Sequence, residues 1–311
     1  MMKILNSLAE LGAEKSPVCL AAGFFDGVHR GHRKVLQLTM DRARQSGAMP
    51  WVLTFDSHPA TLVRPGEAPL LLTSTEHKLR LLDELGMHGC LLLQFTPELA
   101  NREPADFTRL LCKSVPSLRE IIVGKNWRFG RNAAGNVALL AALLSESDVR
   151  VTVVEPALWK NDVISSSRIR AAVLGGDIDA AANMLGRPYS VTGKVARGRG
   201  IGRKLGYPTA NIVPSNEVIP PRGVYAARAV LRDGKHDGVV NIGTRPTFEA
   251  QDDGTVHLEL HIPSVQADLY GQDAEVIFVR KLRDEQKFGS EDELREQIAR
   301  DVAAALELLR A

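Results

Sequence analysis

The chain has 311 residues, enough for two domains at a usual size of roughly 100–200 residues each. Apolar residues make up 44% and charged residues 24%, which excludes a disordered, collagen-like or disulfide-knotted chain. Lys and Arg number 39 against 37 Asp and Glu, a net charge of +2, so no bulk field favours nucleic acid or a membrane surface and any anion affinity must come from local clusters.

At the amino terminus Lys3 is followed by Glu10 and Glu14 before the short apolar stretch 18–22, a poor secretory leader and a good buried strand. Apolar runs such as 137–144 fall under half of the ~20 residues a membrane-spanning helix needs. Cys19, Cys90 and Cys112 stand far apart without a CxxC pair and read as small core residues of a reducing compartment. The expected location is the cytoplasm, with no membrane and no nucleic acid as partner.

Continuous apolar runs at 18–22, 51–55, 90–95, 121–124 and 149–154 suit strands buried on both faces. Helical spacing fills 33–45, 76–85, 105–112 and 137–145, with Leu79, Leu82 and Leu85 as one stripe. This alternation predicts an α/β domain with a parallel sheet and right-handed crossovers. Gly186-Arg187-Pro188 reads as a hinge, giving domains 1–186 and 187–311. Beyond it the period becomes two. Val256, Leu258, Leu260 and Ile262 form a core face, while His257, Glu259 and His261 form a polar one. With further strands at 224–231, 239–242 and 275–279, an antiparallel sheet or small barrel follows. The tail 290–309 is a helix opened by a Ser290/Glu293 capping box, with Leu294, Ile298, Val302, Ala305 and Leu309 as its stripe.

The first strand runs into Gly23-Phe24-Phe25-Asp26-Gly27-Val28-His29-Arg30-Gly31-His32, and a helix follows. Ligands of open α/β sheets bind at such strand ends, and a helix amino terminus offers N–H groups to phosphate. His29 and His32 are placed to stabilise charge on a departing pyrophosphate, or are ordinary helix residues. After the fifth strand, Ile164-Ser165-Ser166-Ser167-Arg168-Ile169-Arg170 opens another helix, either a phosphate site or a simple serine cap.

The stretch 193–211 holds Lys194, Arg197, Arg199, Arg203 and Lys204 among five glycines, with no acid, and reads as a loop able to wrap polyphosphate. It ends in Gly206-Tyr207-Pro208-Thr209-Ala210-Asn211, where Thr209 and Asn211 point the same way on an extended strand and suit magnesium. The alternatives are a solvated loop or a nucleic-acid patch. The absence of an aromatic before Tyr207 weighs against the latter.

The Gly23–His32 turn together with the Ile-Ser-Ser-Ser-x-Ile-Arg segment resembles the nucleotidyltransferase superfamily. Thr54-Phe55-Asp56-Ser57-His58-Pro59 and Gly124-Lys125-Asn126-Trp127-Arg128-Phe129-Gly130 are similar to the flavin-site segments of bacterial FAD synthetase domains. Gly206-Tyr207-Pro208-Thr209-Ala210-Asn211 resembles the riboflavin kinase signature. The likeness continues through Gly223-Val224-Tyr225-Ala226, Asn241-Ile242-Gly243-Thr244-Arg245-Pro246-Thr247-Phe248, Leu258-Glu259-Leu260-His261, Asp268-Leu269-Tyr270-Gly271 and the run from Lys281 to Phe288. In this order, over about the whole chain, the segments resemble the bifunctional bacterial riboflavin kinase/FAD synthetase family. Phe24 stands where Asn is common there, Ser57 where Pro is, Ser167 where Thr is, and Ser264-Val265 where Asp-Phe is.

The resemblance implies a Rossmann-like parallel-sheet nucleotidyltransferase domain followed by an antiparallel β-barrel kinase domain with a C-terminal helix. Riboflavin would be phosphorylated by ATP to FMN, and FMN then adenylylated to FAD with release of pyrophosphate. For adenylyl transfer it implies Gly23, Phe25, Asp26, His29, His32, Ser167, Arg168 and Arg170 on ATP, and His58 and Asn126 on the flavin. For the kinase it implies Gly198, Gly202, Lys204, Thr209, Asn211 and His261 on ATP, with Mg2+ on Thr209 and Asn211. Glu259 would be the base and, with Arg283, would face the flavin. His261 has a structural role as an equal alternative. Two other functions stay open at this point: a flavin- or nucleotide-binding sensor without turnover, and a nucleotidyltransferase for another phosphorylated acceptor.

Overall fold

Why the runs at 18–22, 51–55, 90–95, 121–124 and 149–154 are mostly apolar, with Thr54, Gln94, Arg150 and Thr152 as their polar members, is visible in a computed structural model, which describes residues 1–198, 201–244, 256–265 and 269–310 without the side chains of Ile201, Lys204, Thr244, Val256 and His257. Contacts divide the chain into two compact units. The first comprises Met1–Leu71 and Thr75–Ser166, the second Leu72–Ser74 and Ser167 to the end.

The first unit runs β1 (Lys3–Leu5), α1 (Leu8–Gly12), β2 (Val18–Ala22), α2 (Arg30–Ser46), β3 (Met49–Phe55), α3 (Pro59–Val63), α4 (Thr75–Glu84) and β4 (Gly89–Leu93). It continues through α5 (Pro97–Ala100), α6 (Pro104–Ser114), β5 (Leu118–Gly124), α7 (Val137–Leu143), β6 (Arg150–Val154) and the small hairpin β7 (Leu158–Trp159) and β8 (Asp162–Val163). Six strands make one parallel sheet in the order β1-β4-β3-β2-β5-β6. β2 is buried throughout, and its residues alternate between two cores. Val18, Leu20 and Ala22 join Trp51, Leu53, Ile121 and Val123 on one face, while Cys19 and Ala21 join Val52, Cys90 and Ile122 on the other. The parallel sheet is thus as expected, with β1 as an additional edge strand. Three residues with two exposed side chains give β1 no apolar run to read.

α8 (Ser166–Leu174) leads into the second unit: α9 (Ile178–Leu185), β9 (Ser190–Ala196), α10 (Ile201–Lys204), β10 (Thr209–Pro214), β11 (Gly223–Leu231), β12 (Gly234–Thr244), β13 (Val256–His261), β14 (Asp273–Arg283) and α11 (Glu291–Arg310). Six strands close an antiparallel barrel in the order β10-β13-β12-β11-β14-β9, with β9 pairing back to β10. Closure leaves no unpaired sheet edge. The expected division after 186 differs from the contact division because α9 packs on β14 and so groups with the barrel. Gly186 is the left-handed cap that ends α9 (φ 74°, ψ 18°).

α11 covers the barrel's outside, where Ala305 and Leu309 pack with Val224, Ala226 and Val239. Half of the expected capping box forms: Glu293 N–H donates to Ser290 Oγ at 3.2 Å, while Glu293 Oε2 reaches one residue further back and accepts from Gly289 N at 2.8 Å. Arg283 grips Asp301 on this helix through Nε (3.0 and 3.1 Å) and Nη2 (2.8 Å), and its Nη1 donates to Asp284 O at 3.0 Å. Two guanidinium nitrogens thus hold α11 to β14, and the third bonds the neighbouring backbone. Beside its expected place near the flavin, Arg283 thus forms a clasp to a helix that sequence spacing does not bring near. Since Asp301 is buried, Asp301→Ala strands a cation and should destabilise the barrel unit by roughly 3 kcal/mol, read as a lowered urea midpoint.

Candidate active sites

The strand order gives the first unit one switch point. From β2 the chain builds outward through β3 and β4, then returns to place β5 on the other side of β2. Ligands of open α/β sheets bind beyond the carboxyl ends of the strands at that point. Gly23 and the turn after β2 lie there, as does Asn126, exposed two residues beyond β5, and His58, three residues beyond β3.

The turn is tightly wound. Phe25 (φ 58°), Gly27 (φ 79°) and Val28 (φ 41°) all take left-handed conformations, which are costly for Phe and more so for β-branched Val. Phe25 and Val28 are buried, and burying such side chains is worth about 1.5–3 kcal/mol each, which offsets the strain. Asp26 is buried as well, and Ser166 Oγ, at the start of α8, donates to its carbonyl at 3.0 Å.

The turn delivers His29 as the cap of α2. Its Nδ1 accepts from His32 N at 3.2 Å, so a neutral His29 carries its proton on Nε2. The His32 ring stacks on it at 3.5 Å between centroids and 16° between planes. Gly31 permits this close approach, since a Cβ there would sit 3.0 Å from His29 Cε1. No described residue bonds the buried His32 Nδ1. Burial first, then the nearby His29 and Lys78, hold the His32 imidazole well below its ordinary range. The pair is thus two stacked rings, with His32 uncharged at neutral pH.

His58 caps α3, its Nδ1 accepting from Ala60 N at 3.0 Å, and its ring stands edge-on to Phe24 at 4.8 Å. The structure therefore gathers Gly23, Phe25, Asp26, His29, His32, His58 and Asn126 at the ends of three adjacent strands. Exposed Ser167 and half-buried Arg168 and Arg170 stand on the first turns of α8, whose buried side holds Ile169 and Val173.

One residue at this site is absent from the sequence reading. Lys78 on α4 is buried, with its Nζ donating to Phe55 O (2.8 Å), Thr54 Oγ1 (3.2 Å) and Phe24 O (3.3 Å). The buried residues of α4 are His77, Lys78, Leu81 and Leu82, with Leu79 and Leu85 only partly buried. Spacing held the signal, because Lys78 precedes Leu81 by three residues and Leu82 by four.

The second site is a row across three barrel strands. Asn211 on β10 and Asn241 on β12 both stand opposite Glu259 on β13, so their side chains share one face. Glu259 is exposed there. Thr209, opposite His261, continues the row. The loop before β10 lies close over it. A Cβ on Gly198 would fall 2.0 Å from Asn211 Nδ2, and one on Gly202 would fall 2.3 Å from Tyr207 O and 3.3 Å from Thr209 Oγ1. Glu285, unremarked in the sequence, is a second carboxylate nearby, since a Cβ on Gly243 would meet its Oε1 at 2.7 Å.

Beside the row a cleft is lined mainly by apolar Ala210, Leu260, Ile262 and Leu269, with Arg203 and Thr209 as polar members. His261 is not on an open polar face. It is buried, its Nδ1 lies 2.8 Å from Pro208 O, and Tyr207 meets its ring edge-on at 5.4 Å. Of its two expected roles, the geometry supports the structural one. The basic loop is also shorter than expected. Gly193 and Lys194 belong to β9, and Lys194 pairs with Asp273 at 2.8 Å. Arg199, the Lys204 side chain, residues 245–248 and Asp268 lie outside the described residues.

No cluster of three or more His, Cys, Asp or Glu that could hold a metal occurs among the described residues. The neutral oxygens of Thr209 and Asn211 instead fit a magnesium ion that arrives with a nucleotide, whose phosphates complete its shell. In the cradle under Gly198 the Asn211 amide is closely confined.

Residues 12–168 match the FAD synthetase family model and residues 185–309 the riboflavin kinase model. The bifunctional riboflavin kinase/FMN adenylyltransferase of Escherichia coli K12 is 35% identical over 98% of this chain and 97% of that protein. That of Bacillus subtilis 168 is 32% identical over 94% and 93%. A crystal structure described as a macrolide-efflux protein from Streptococcus pneumoniae superposes with a TM-score of 0.84 at 27% identity, covering 96% of this chain and 97% of that one. Among the described residues no helix is long and apolar enough to cross a membrane.

One electrostatic consequence is measurable without any substrate. Histidine ring resonances followed by NMR should show His32 still neutral at pH 6.

Proposed function

From the premise that the chain belongs to the bifunctional riboflavin kinase/FMN adenylyltransferase family, we propose how its two sites divide the chemistry. The enzyme phosphorylates riboflavin to FMN and adenylylates FMN to FAD. We assign the first reaction to the barrel and the second to the switch point of the parallel sheet, with the functional division after residue 186 so that Ser167, Arg168 and Arg170 serve adenylyl transfer.

In the kinase the 5′-hydroxyl of riboflavin attacks the γ-phosphorus of ATP, and ADP leaves. Glu259 takes the hydroxyl proton. The observation that carries this assignment is the row Asn211–Glu259–Asn241, which sets a carboxylate between two amides. Thr209 and Asn211 would hold magnesium, which neutralises charge developing on the transferred phosphoryl. Gly198 and Gly202 bring the loop backbone over these two residues, and Lys204 and Arg203 supply positive charge to the phosphates. The apolar cleft beside Thr209 suits the flat adenine of ATP.

In adenylyl transfer an oxygen of the FMN phosphate attacks the α-phosphorus of ATP, and the bond to the bridging oxygen breaks to release pyrophosphate. The nucleophile is already ionised, so positioning and charge stabilisation carry the step. Gly23, Phe25 and Asp26 shape the turn, His29 Nε2–H and His32 face the polyphosphate, and Ser167, Arg168 and Arg170 hold it from α8. His58 and Asn126 flank the flavin. We place both reactions in the cytoplasm, which the three free thiols of Cys19, Cys90 and Cys112 support.

Chromatography of flavins separates the two reactions in one tube. Glu259→Ala should lower FMN formation from riboflavin by about 10²–10⁴-fold while supplied FMN is still converted to FAD. With His29→Ala, riboflavin and ATP should leave FMN accumulating and little FAD. Equal loss of both activities in either variant contradicts the division.

A further inference from the structure

The mechanism above leaves one buried ionisable group at the first site without a task. We propose that Lys78 is a positioning residue for adenylyl transfer. It fastens the turn bearing His29 and His32 to the end of β3 that leads to His58, and so fixes the nucleotide side of the site against the flavin side. This rests on the reading of the switch point as the adenylyltransferase site.

A surface lysine keeps its head in water, whereas Lys78 is 3% exposed and turns inward from α4. An ammonium has three N–H donors, and Nζ has three oxygen acceptors within reach, one on the turn and two on β3. Thr54 Oγ1 braces the same junction by donating to Phe24 O at 2.9 Å. The ammonium also sits 4.4 Å from the centroid of the Phe24 ring, whose other neighbour is the edge of His58. Backbone and ring of Phe24 are thus both held by one cation.

Burial pushes the Lys78 ammonium down to about 8, opposed by Cys90 on β4, Asp26 on the turn and Asp56 after β3. His32, on α2, feels its charge in turn. A deprotonated amine has only two N–H groups and presents a lone pair to an oxygen, so the fastening loosens as pH rises through that value. Stability moves the other way. The group's ordinary value is 10.5 and its folded value about 8, so over that window the unfolded chain binds more protons and the folded state gains. Deprotonation of Lys78 therefore does not itself unfold the chain there.

The test uses the full chain, with the kinase as internal control. Lys78→Met should lower the kcat of FAD formation from FMN by about 10- to 100-fold, as misplacement on the ångström scale does, with KM for ATP and FMN changed less and riboflavin phosphorylation unchanged. Wild-type adenylyl transfer should show a falling limb above pH 8 that Lys78→Met lacks. Thr54→Val, which removes one acceptor without changing volume much, should lower FAD formation several-fold. FAD formation by Lys78→Met at the wild-type rate, or the same falling limb in that variant, overturns the inference. Should Lys78→Met not fold, an unchanged Thr54→Val or a flat wild-type profile overturns it. His29→Ala run in parallel separates the premises: if it spares FAD formation, the site assignment fails and not merely the role of Lys78.

Discussion

The first unit depends on how its chain reverses between the end of β2 and the start of α2. A fully buried strand must hand over to a helix within a few residues, and it does so through left-handed Phe25, Gly27 and Val28. Two of these are side chains that resist such a conformation, and both are sunk in the core. The burial that makes the turn affordable also makes it rigid. The two stacked imidazoles at its end inherit that rigidity, which is what a site working by positioning needs.

The barrel reaches its geometry by register instead of by strain. Two amides flank a carboxylate because β10, β13 and β12 pair in one alignment, and a slip of one residue would turn all three side chains to the other face. Closure of the six strands and the alternation Leu258, Leu260 and Ile262 into the core hold that alignment. The two units thus fix their reactive groups by different means, one through an expensive turn and one through hydrogen-bonded neighbours.

Much of this was legible in the residues. Mostly apolar runs marked β2 to β6, and alternation marked β13. What stayed hidden depended on partners remote in sequence. Lys78 reads as a solvated helix residue until Phe24 and Phe55 are known to end beside it. The clasp of Arg283 shows only once Asp301 on α11 is known to close on it. His261 belongs to a polar alternation until Tyr207 and Pro208 cover it. β1 offers three residues and no pattern.

The contact between Gly198 and Asn211 makes two distant positions behave as one. The amide occupies the space that a larger residue at 198 would claim, so a side chain there must push the Asn211 amide aside. A substitution at 198 therefore acts on the barrel row through position 211, and a smaller residue at 211 would make room for it by giving up the amide.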